Sequence, residues 1–400
     1  VKIAIVTPEY PPYISGGIGS YNHELVKKLV EKGIEVIVIA SSQNEDEVRY
    51  CSGNRCKCYY LKTPPLRPTY FYFQVRNSER VRRIIEKERP DIIQLNAESD
   101  ILIKTLKDLL KGVSIKVVLV FHGSPSPYNR HWDSLKHLDV VDLAWTTAQL
   151  IYAKIEKTLG EGALNYVDVA VHVSKHVMYY NTSCYEGLRS IKNVVIYPGI
   201  DIREYTRQTK DASAPLNKKY RFLVFGARLM RYKGVVQLVK AFRIARKRNP
   251  YLYLQIFGDG PLRSYMLKAM HRFDNSPGIF YYGKVPRELF LKKLSVSDIL
   301  VHPSFYEAFG IVVIEAALLG KPVIAHKAPW SEELVEGFNL GVTVDVLNLE
   351  KFAETLLGLA DEENYERLVK ELQNKRTKLI TTFSSERMAK DYIELYKKLV

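Results

Sequence analysis

Short uninterrupted apolar runs recur along the whole chain, separated by segments whose apolar residues return every three or four positions. In the first half the runs Ile3–Val6, Glu35–Ala40, Asp91–Leu95, Val117–Phe121, Val169–Val173 and Val194–Tyr197 predict strands. In the second half Phe222–Phe225, Tyr253–Phe257, Ile279–Tyr282, Ile299–Val301, Val323–Ala325 and Gly341–Val344 do the same. They lack polar alternation, as strands buried on both faces must, which means parallel sheets covered by helices. The segments between them carry helix punctuation: Tyr21–Glu31 is stopped by Gly33, and Val235–Arg248 by Pro250. The pattern predicts an α/β protein.

The alternation breaks near Pro198-Gly199-Ile200-Asp201, and the polar, aperiodic stretch from there to about Lys219 reads as a linker. The expectation is one Rossmann-like domain over 1–200, a second over 201–383, and a terminal helix over 384–400. Ligands of open parallel sheets bind beyond the carboxyl ends of the strands, so two such domains facing across a cleft would enclose an active site. The segment Glu47 to Leu61 reads as a hairpin turning at Ser52-Gly53-Asn54-Arg55.

Composition narrows the class. The 400 residues are 46% hydrophobic and 26% charged, ordinary for a globular enzyme with well-buried cores. No apolar run approaches the roughly 20 residues that span a bilayer. Lys2 to Thr7 reads as a strand ended by Pro8, not as a secretory core, so a cytoplasmic location is the expectation. A net charge of +15 admits nucleic acid, an anionic membrane surface or an anionic small molecule. The densest basic run, Arg243 to Arg248, falls on the solvent side of an amphipathic helix without a nucleic-acid motif, so nucleic acid is set aside. Tyr70-Phe71-Tyr72-Phe73 could touch a membrane, although core packing explains it as well. Cys51, Cys56 and Cys58 do not have zinc-site spacing. Cys51 and Cys56 face each other across the hairpin turn, where a disulfide is geometrically allowed, but free strand thiols are the expectation for a cytosolic chain.

The candidate chemistry sits at strand ends. Glu307 lies in a polar loop after Ile299–Val301, and Glu315 lies eight positions on, inside the helical stretch Ile311 to Leu319. A helix starting near Gly310 would let both acids face one side and offer backbone N–H groups at Gly310 and Ile311 to an anion. The bland alternative is that Glu307 caps the helix and Glu315 is a solvated helix acid. Arg228 and Lys233 follow the strand Phe222–Phe225, two cations suited to a diphosphate whose charge grows as it leaves. Gly16 and Gly17 precede the first helix and let backbone approach a ligand closely. A dinucleotide fingerprint fails there: Asn22 stands where the third glycine belongs, the loop from Thr7 is too long, and Ala40-Ser41-Ser42 offers no acid for a ribose. His122 ends the strand Val117–Phe121. Gly258-Asp259-Gly260-Pro261 forms a tight turn into a helix. Tyr128, His131 and Trp132 lie in an aromatic loop whose flat rings suit a sugar or another apolar acceptor.

The frame His302-Pro303-Ser304-Phe305-Tyr306-Glu307-Ala308-Phe309-Gly310 through Glu315, followed by Gly320-Lys321-Pro322, resembles the E-x7-E region of retaining glycosyltransferases of family 4, which have the GT-B fold. The resemblance implies transfer of a hexose from a UDP-, ADP- or GDP-linked donor to the hydroxyl of a sugar, glycan or lipid-linked acceptor, with no cofactor and no obligatory metal. It implies that Arg228 and Lys233 bind the diphosphate, that Glu307 holds the sugar hydroxyls and that Glu315 holds the ribose. It implies donor contacts at Gly16, Gly17, Gly258, Asp259, Val285, Ala308, Phe309, Gly310 and Ile311, a place for His122 beside the reacting sugar, and a last helix crossing back to the first domain. A peripheral contact with an anionic membrane is a further candidate. The competing functions are a sugar phosphorylase or epimerase on the same fold, and a non-catalytic sugar-nucleotide-binding protein.

Overall fold

The apolar runs become parallel strands in a computed structural model that describes residues 1–13, 16–51, 55–63, 69–96, 102–103, 105–106, 115–123, 161–203, 205, 220–271 and 278–400, with the side chains of 69–71 and 269–271 left aside. Among these residues one compact unit holds those up to Asp201 together with Phe383–Val400, and a second holds Ile202–Thr382.

In the first unit the strands are β1 (Lys2–Thr7), β2 (Glu35–Ser42), β3 (Glu47–Tyr50), β4 (Cys56–Lys62), β5 (Ile92–Asn96), β6 (Lys116–Phe121), β7 (Val169–His172) and β8 (Lys192–Val195). Their order is β3-β4-β2-β1-β5-β6-β7-β8, parallel throughout except for β3 against β4. The central strand β1 is buried from Ile3 to Val6, which explains its unbroken apolar run. Helices α1 (Gly17–Glu31), α2 (Thr69–Glu88) and α3 (Lys175–Cys184) belong to this unit. In α2 Phe73 is fully buried, so that part of the Tyr70–Phe73 cluster is core.

Three expectations change. The hairpin is more than a local ribbon, because β4 pairs in parallel with β2 over its whole length and β3 becomes the sheet edge. The last strand lies two residues earlier than its apolar run: the ladder to β7 begins at Lys192, and Pro198 cannot donate to extend it. Cys51 and Cys56 are joined by a disulfide rather than standing as two thiols, because the hairpin register places them opposite one another, with Cys51 N donating to Cys56 O at 3.0 Å.

The second unit has β9 (Arg221–Gly226), β10 (Leu252–Phe257), β11 (Ile279–Gly283), β12 (Ile299–His302), β13 (Val323–His326) and β14 (Gly341–Val344), in the order β11-β10-β9-β12-β13-β14. All pairs are parallel. Counted within the unit this is the order 3-2-1-4-5-6, whose topological switch point lies between its first and fourth strands, here β9 and β12. Its helices are α4 (Val235–Arg248), α5 (Arg263–His271), α6 (Arg287–Val296), α7 (Ile311–Leu318), α8 (Leu349–Ala360) and α9 (Glu362–Phe383). In α4 Val235, Leu238, Val239, Phe242 and Ala245 are buried at helical spacing and form the core with α8. The basic end of α4 is not simply solvated. The Arg246 guanidinium lies 4.6 Å over the Tyr253 ring and donates to Leu252 O, and Arg248 pairs with Glu350 at 2.7 Å.

The terminal helix α10 (Ser385–Lys397) returns to the first unit and packs on α1. Tyr392 and Tyr21 share a hydrogen bond of 2.5 Å, and Tyr396 donates to Gln94 at 2.5 Å. Burial works against the Lys28 charge here, and Glu31 and Glu386, each at 2.8 Å, outweigh it and hold its ammonium above the usual lysine range. Ile200 and Ser385 exchange backbone bonds with Phe383 and Ile200, which anchors the start of the helix. No helix among the described residues is long and apolar enough to cross a membrane.

Candidate active site

Two loops leave the switch point of the second unit. The loop after β9 carries Arg228 and a short helical turn, Arg231–Lys233, closed by Gly234 at φ 69°. A side chain on Gly234 would collide with Pro303 O, so glycine is what lets this loop press against the loop after β12. Phe305 N donates to Tyr232 O at 2.8 Å and fastens the two. The result brings Lys233 Nζ to 2.5 Å from Glu307 Oε1, across 74 positions of sequence. His302 Nε2 lies 2.6 Å from the same oxygen. Its ring sits edge-on to Trp330 at 5.5 Å, and Trp330 Nε1 donates to Ser304 O at 3.0 Å. Burial by itself would raise the Glu307 pKa, but Lys233 and His302 outweigh it and hold the carboxyl well below the usual carboxylate range. Glu307 is therefore an anion at neutral pH, clamped between a cation and an imidazole.

The helix α7 begins after Gly310, whose φ of 84° places it in the left-handed region. Gly310, not Glu307, occupies the N-cap position. Nor is Glu315 a solvated acid, since it is 2% exposed. Its Oε1 accepts from Tyr205 Oη at 3.0 Å and pairs with Arg287, which also donates to Tyr205 at 2.6 Å. The first N–H groups of α7 have no intrahelical acceptor and point along the helix axis as donors. Gly258 is at φ 131°, where a side chain would meet Ala227 O, so the turn after β10 packs on the start of the Arg228 loop. Asp259 O accepts from Leu229 N at 3.0 Å, and the Asp259 carboxylate accepts from Gly260 N at 2.8 Å. Gly283 O accepts from Gly258 N at 2.8 Å and brings the strand end before Val285 to the same edge.

In the first unit the switch point lies between β1 and β5. Gly16 and Gly17 are exposed at the start of α1, and Gly16 provides no side-chain cap. Asn22, fully buried, donates to Thr7 Oγ1 at 2.9 Å and to Ile18 O at 3.0 Å, which ties the end of β1 to the first turn of the helix. His122 Nε2 lies 3.0 Å from Asn96 Oδ1 at the end of β5, and Tyr21 packs edge-on to its ring at 4.7 Å. Burial pushes the imidazole down to about 3, so His122 is neutral at pH 7. Because the folded pKa lies below the unfolded one of roughly 6.5, stability is full above that pH and is lost as pH falls and the unfolded chain takes up the proton. Melting curves from pH 7 to pH 4 should show wild type losing stability relative to His122→Gln, which has no proton to bind. Parallel pH slopes for the two proteins would remove His122 as the source.

Residues 206–378 match the Glycosyl transferases group 1 family, and residues 15–204 match Glycosyltransferase Family 4, so between them the two cover nearly the whole chain. The chain belongs to glycosyltransferase family 4. It is 24% identical to a glycosyltransferase of Methanocaldococcus jannaschii over 99% of this chain and 98% of that one. It is also 24% identical to the GDP-mannose-dependent alpha-(1-6)-phosphatidylinositol monomannoside mannosyltransferase of Mycobacterium tuberculosis, over 90% and 89% of the two chains. Sucrose-phosphate synthase from Thermosynechococcus elongatus shares its fold with a TM-score of 0.78 at 19% identity, covering 100% of this chain and 98% of that one. HepE of Anabaena, solved with UDP and glucose, does so with a TM-score of 0.70 at 16% identity over 99% of both chains. The GT-B likeness of two parallel-sheet Rossmann-like domains is thereby established.

In this glycosyltransferase Lys233 and Glu307 were named in two different pairs, with Arg228 and with Glu315, and the fold joins them. Arg228 is exposed beside them in the same loop system. Glu315 stands apart from that pair with its own partners. Ala308, Phe309, Gly310 and Ile311 form the turn between the two acids, with Phe309 buried and Ala308 half-buried. Tyr128, His131 and Trp132 lie outside the described residues. Sequence reasoning missed His302, Arg287, Asn96 and Asn22. Arg287 carried a signal: a cation in the first turn of α6 opposes the helix dipole and so calls for a partner. Asn96 looks like an ordinary polar residue until the strand order sets it beside His122, His302 meets Glu307 from five positions away, and Asn22 ties β1 to α1.

Proposed function

We propose that this glycosyltransferase moves a hexose, with retention of configuration, from a nucleoside-diphosphate sugar to an acceptor hydroxyl without an obligatory metal. The observation that carries the reading is the Lys233–Glu307–His302 chain at the switch point of the second unit. A buried anion and a cation held 2.5 Å apart form a site that neutralises itself until a ligand offers each a better partner. A diphosphate would draw Lys233, with Arg228, and sugar hydroxyls would donate to the freed Glu307 carboxylate. Glu315 uses Oε1 for Arg287 and Tyr205, which leaves Oε2 for ribose hydroxyls. The turn Gly258–Asp259 and the strand end at Val285 border the same edge and suit the nucleoside. In the first unit, exposed Gly16 and Gly17 offer backbone donors to phosphate, and neutral His122 is suited to hydrogen-bond a sugar hydroxyl.

In the reaction the acceptor oxygen bonds to the anomeric carbon on the face the leaving group vacates. The anomeric carbon–phosphate oxygen bond breaks, its electron pair stays on the diphosphate, and that oxygen takes the acceptor proton. Lys233 and Arg228 stabilise the charge that develops there, a role that a divalent cation would otherwise serve. The names of relatives span GDP-mannose, and those of solved neighbours span UDP and ADP, so the donor base is to be found by experiment. Slow hydrolysis of UDP-, GDP- and ADP-hexoses without acceptor, followed in excess EDTA, is the test. One donor should be consumed at the same rate with and without chelator. Loss on chelation, restored by Mg²⁺ or Mn²⁺, would overturn metal independence. Consumption of a sugar phosphate but of no nucleotide sugar would indicate a phosphorylase instead.

A further inference from the structure

The β3–β4 hairpin gathers three of the four cysteines of the chain into one cluster outside the candidate active site. Cys56 and Cys58 are two positions apart on β4, so their side chains share one face of the sheet, and both are buried. Cys51 stands across the hairpin, opposite Cys56 by extension of the register Tyr50↔Lys57 and diagonal to Cys58. The three sulfur atoms lie within 4.8 Å of one another. Cys51 is bonded to Cys56, yet Cys58 Sγ lies only 2.9 Å from Cys51 Sγ. A cavity of about 820 Å³, lined among others by Tyr10, Pro12, His23, Arg49, Cys51 and Cys58, opens beside them, and Cys56 is not part of its wall.

We propose that Cys51, Cys56 and Cys58 form a thiol–disulfide exchange site in which Cys51 alternates between Cys56 and Cys58 as its partner. The Cys58 thiol gives its proton to solvent, and the thiolate electron pair forms a bond to Cys51 Sγ. The Cys51–Cys56 bond breaks, and Cys56 sulfur leaves with its electron pair and takes up a proton. One disulfide and one thiol stand on each side of the exchange, so neither oxidant nor reductant is consumed. Cys58 is only the diagonal neighbour of Cys51, and it is the 2.9 Å between their sulfur atoms, not the register alone, that gives Cys51 a second partner within reach. The exchange moves the free thiol from the cavity wall at Cys58 to the enclosed position of Cys56. Tyr60, two residues beyond Cys58, donates its hydroxyl to Pro11 O and packs edge-on to Tyr13 at 5.6 Å. The cluster thus shares its strand with the support of the turn that leads toward Gly16 and Gly17. Burial pushes the Cys58 thiol up to about 11. Only the thiolate attacks, so below that value the exchange should speed about tenfold for each unit by which the pH is raised.

The sequence makes the test direct, since trypsin cuts after Arg49, Arg55, Lys57 and Lys62 and places the three cysteines on three peptides. Wild-type protein is incubated at pH 7 and pH 9, quenched with acid, blocked with N-ethylmaleimide and mapped without reduction. The Cys51 peptide should be found linked to the Cys56 peptide and also to the Cys58 peptide, with the second linkage forming about 100-fold faster at pH 9. Cys56→Ser, treated with diamide, should form the Cys51–Cys58 disulfide, while Cys58→Ser should hold only Cys51–Cys56. Linkage of Cys51 to Cys56 alone at both pH values would overturn the proposal. So would a folded Cys56→Ser whose Cys51 and Cys58 both remain alkylatable after diamide. The wild-type map decides by itself if that variant does not fold.

Discussion

Lys233→Ala is expected to lower kcat by about 10²-fold or more while the fold remains intact, because removing one preorganised donor to developing charge typically costs on that order. The side chain of Lys233 is 13% exposed and its Nζ already stands at the switch point, so it has only to exchange the Glu307 carboxylate for the diphosphate. Its backbone position is secured independently, by Gly234 against Pro303 and by Phe305 N on Tyr232 O. Truncation therefore removes the ammonium and not the loop. Glu307 keeps His302 as a partner, which limits the cost to the ligand-free protein. Steady-state kinetics beside a melting curve check this. An unchanged kcat would remove Lys233 from the site, and a large fall in Tm would show that its role is structural.

Glu307→Gln and Glu315→Gln are expected to fail in different ways. Glu315 lies in α7 and, as the proposed ribose ligand, contacts a part common to the sugar nucleotide and the free nucleoside diphosphate. Its Gln variant should weaken both alike. Glu307 is proposed to contact the reacting sugar. Its Gln variant should leave nucleoside diphosphate affinity nearly unchanged and depress transfer, since the lost contact matters most in the transition state. Arg287 gives the Glu315 variant an internal check. With half its side chain exposed, the guanidinium can turn to water once the carboxylate is neutral, so stability should change little. Calorimetric titration with nucleoside diphosphate, run beside rates, separates the outcomes. Should Glu307→Gln lose nucleoside diphosphate binding as badly as Glu315→Gln, the proposed division of labour is wrong. If neither variant changes binding or rate, both acids are structural.

Helix α4 shows what local chemistry alone can specify. Its bounds, Val235–Arg248, agree with the sequence pattern because a left-handed Gly234 starts it, Pro250 follows it, and its apolar stripe has helical spacing. Central strands such as β1, β12 and β13 were legible in the same way, because burial on both faces leaves no polar phase to misread. The frame around Glu307 was legible for another reason: loops at the ends of parallel strands carry the chemistry, and the strand Ile299–Val301 marked where such a loop begins.

Hydrogen-bond register and strand order lie beyond that reach. The apolar run Val194–Tyr197 predicted a strand two residues late because its pairing is set by β7, not by its own composition. The hairpin was visible, but not that β4 would slot beside β2, and the choice between two thiols and a disulfide turned on that placement. Composition, periodicity and end signals determined an α/β chain of two Rossmann-like halves, and the resemblance of its motifs to a family singled out the pairs Arg228–Lys233 and Glu307–Glu315. Only the tertiary structure decided that Lys233 and Glu307 meet, that His302 completes the chain, and that Arg287 and Tyr205 occupy one oxygen of Glu315. The reason is distance along the chain. A helix is specified by neighbours within a few positions, whereas Lys233 reaches Glu307 across 74 residues and Tyr205 reaches Glu315 across 110, through a strand order that no local pattern encodes.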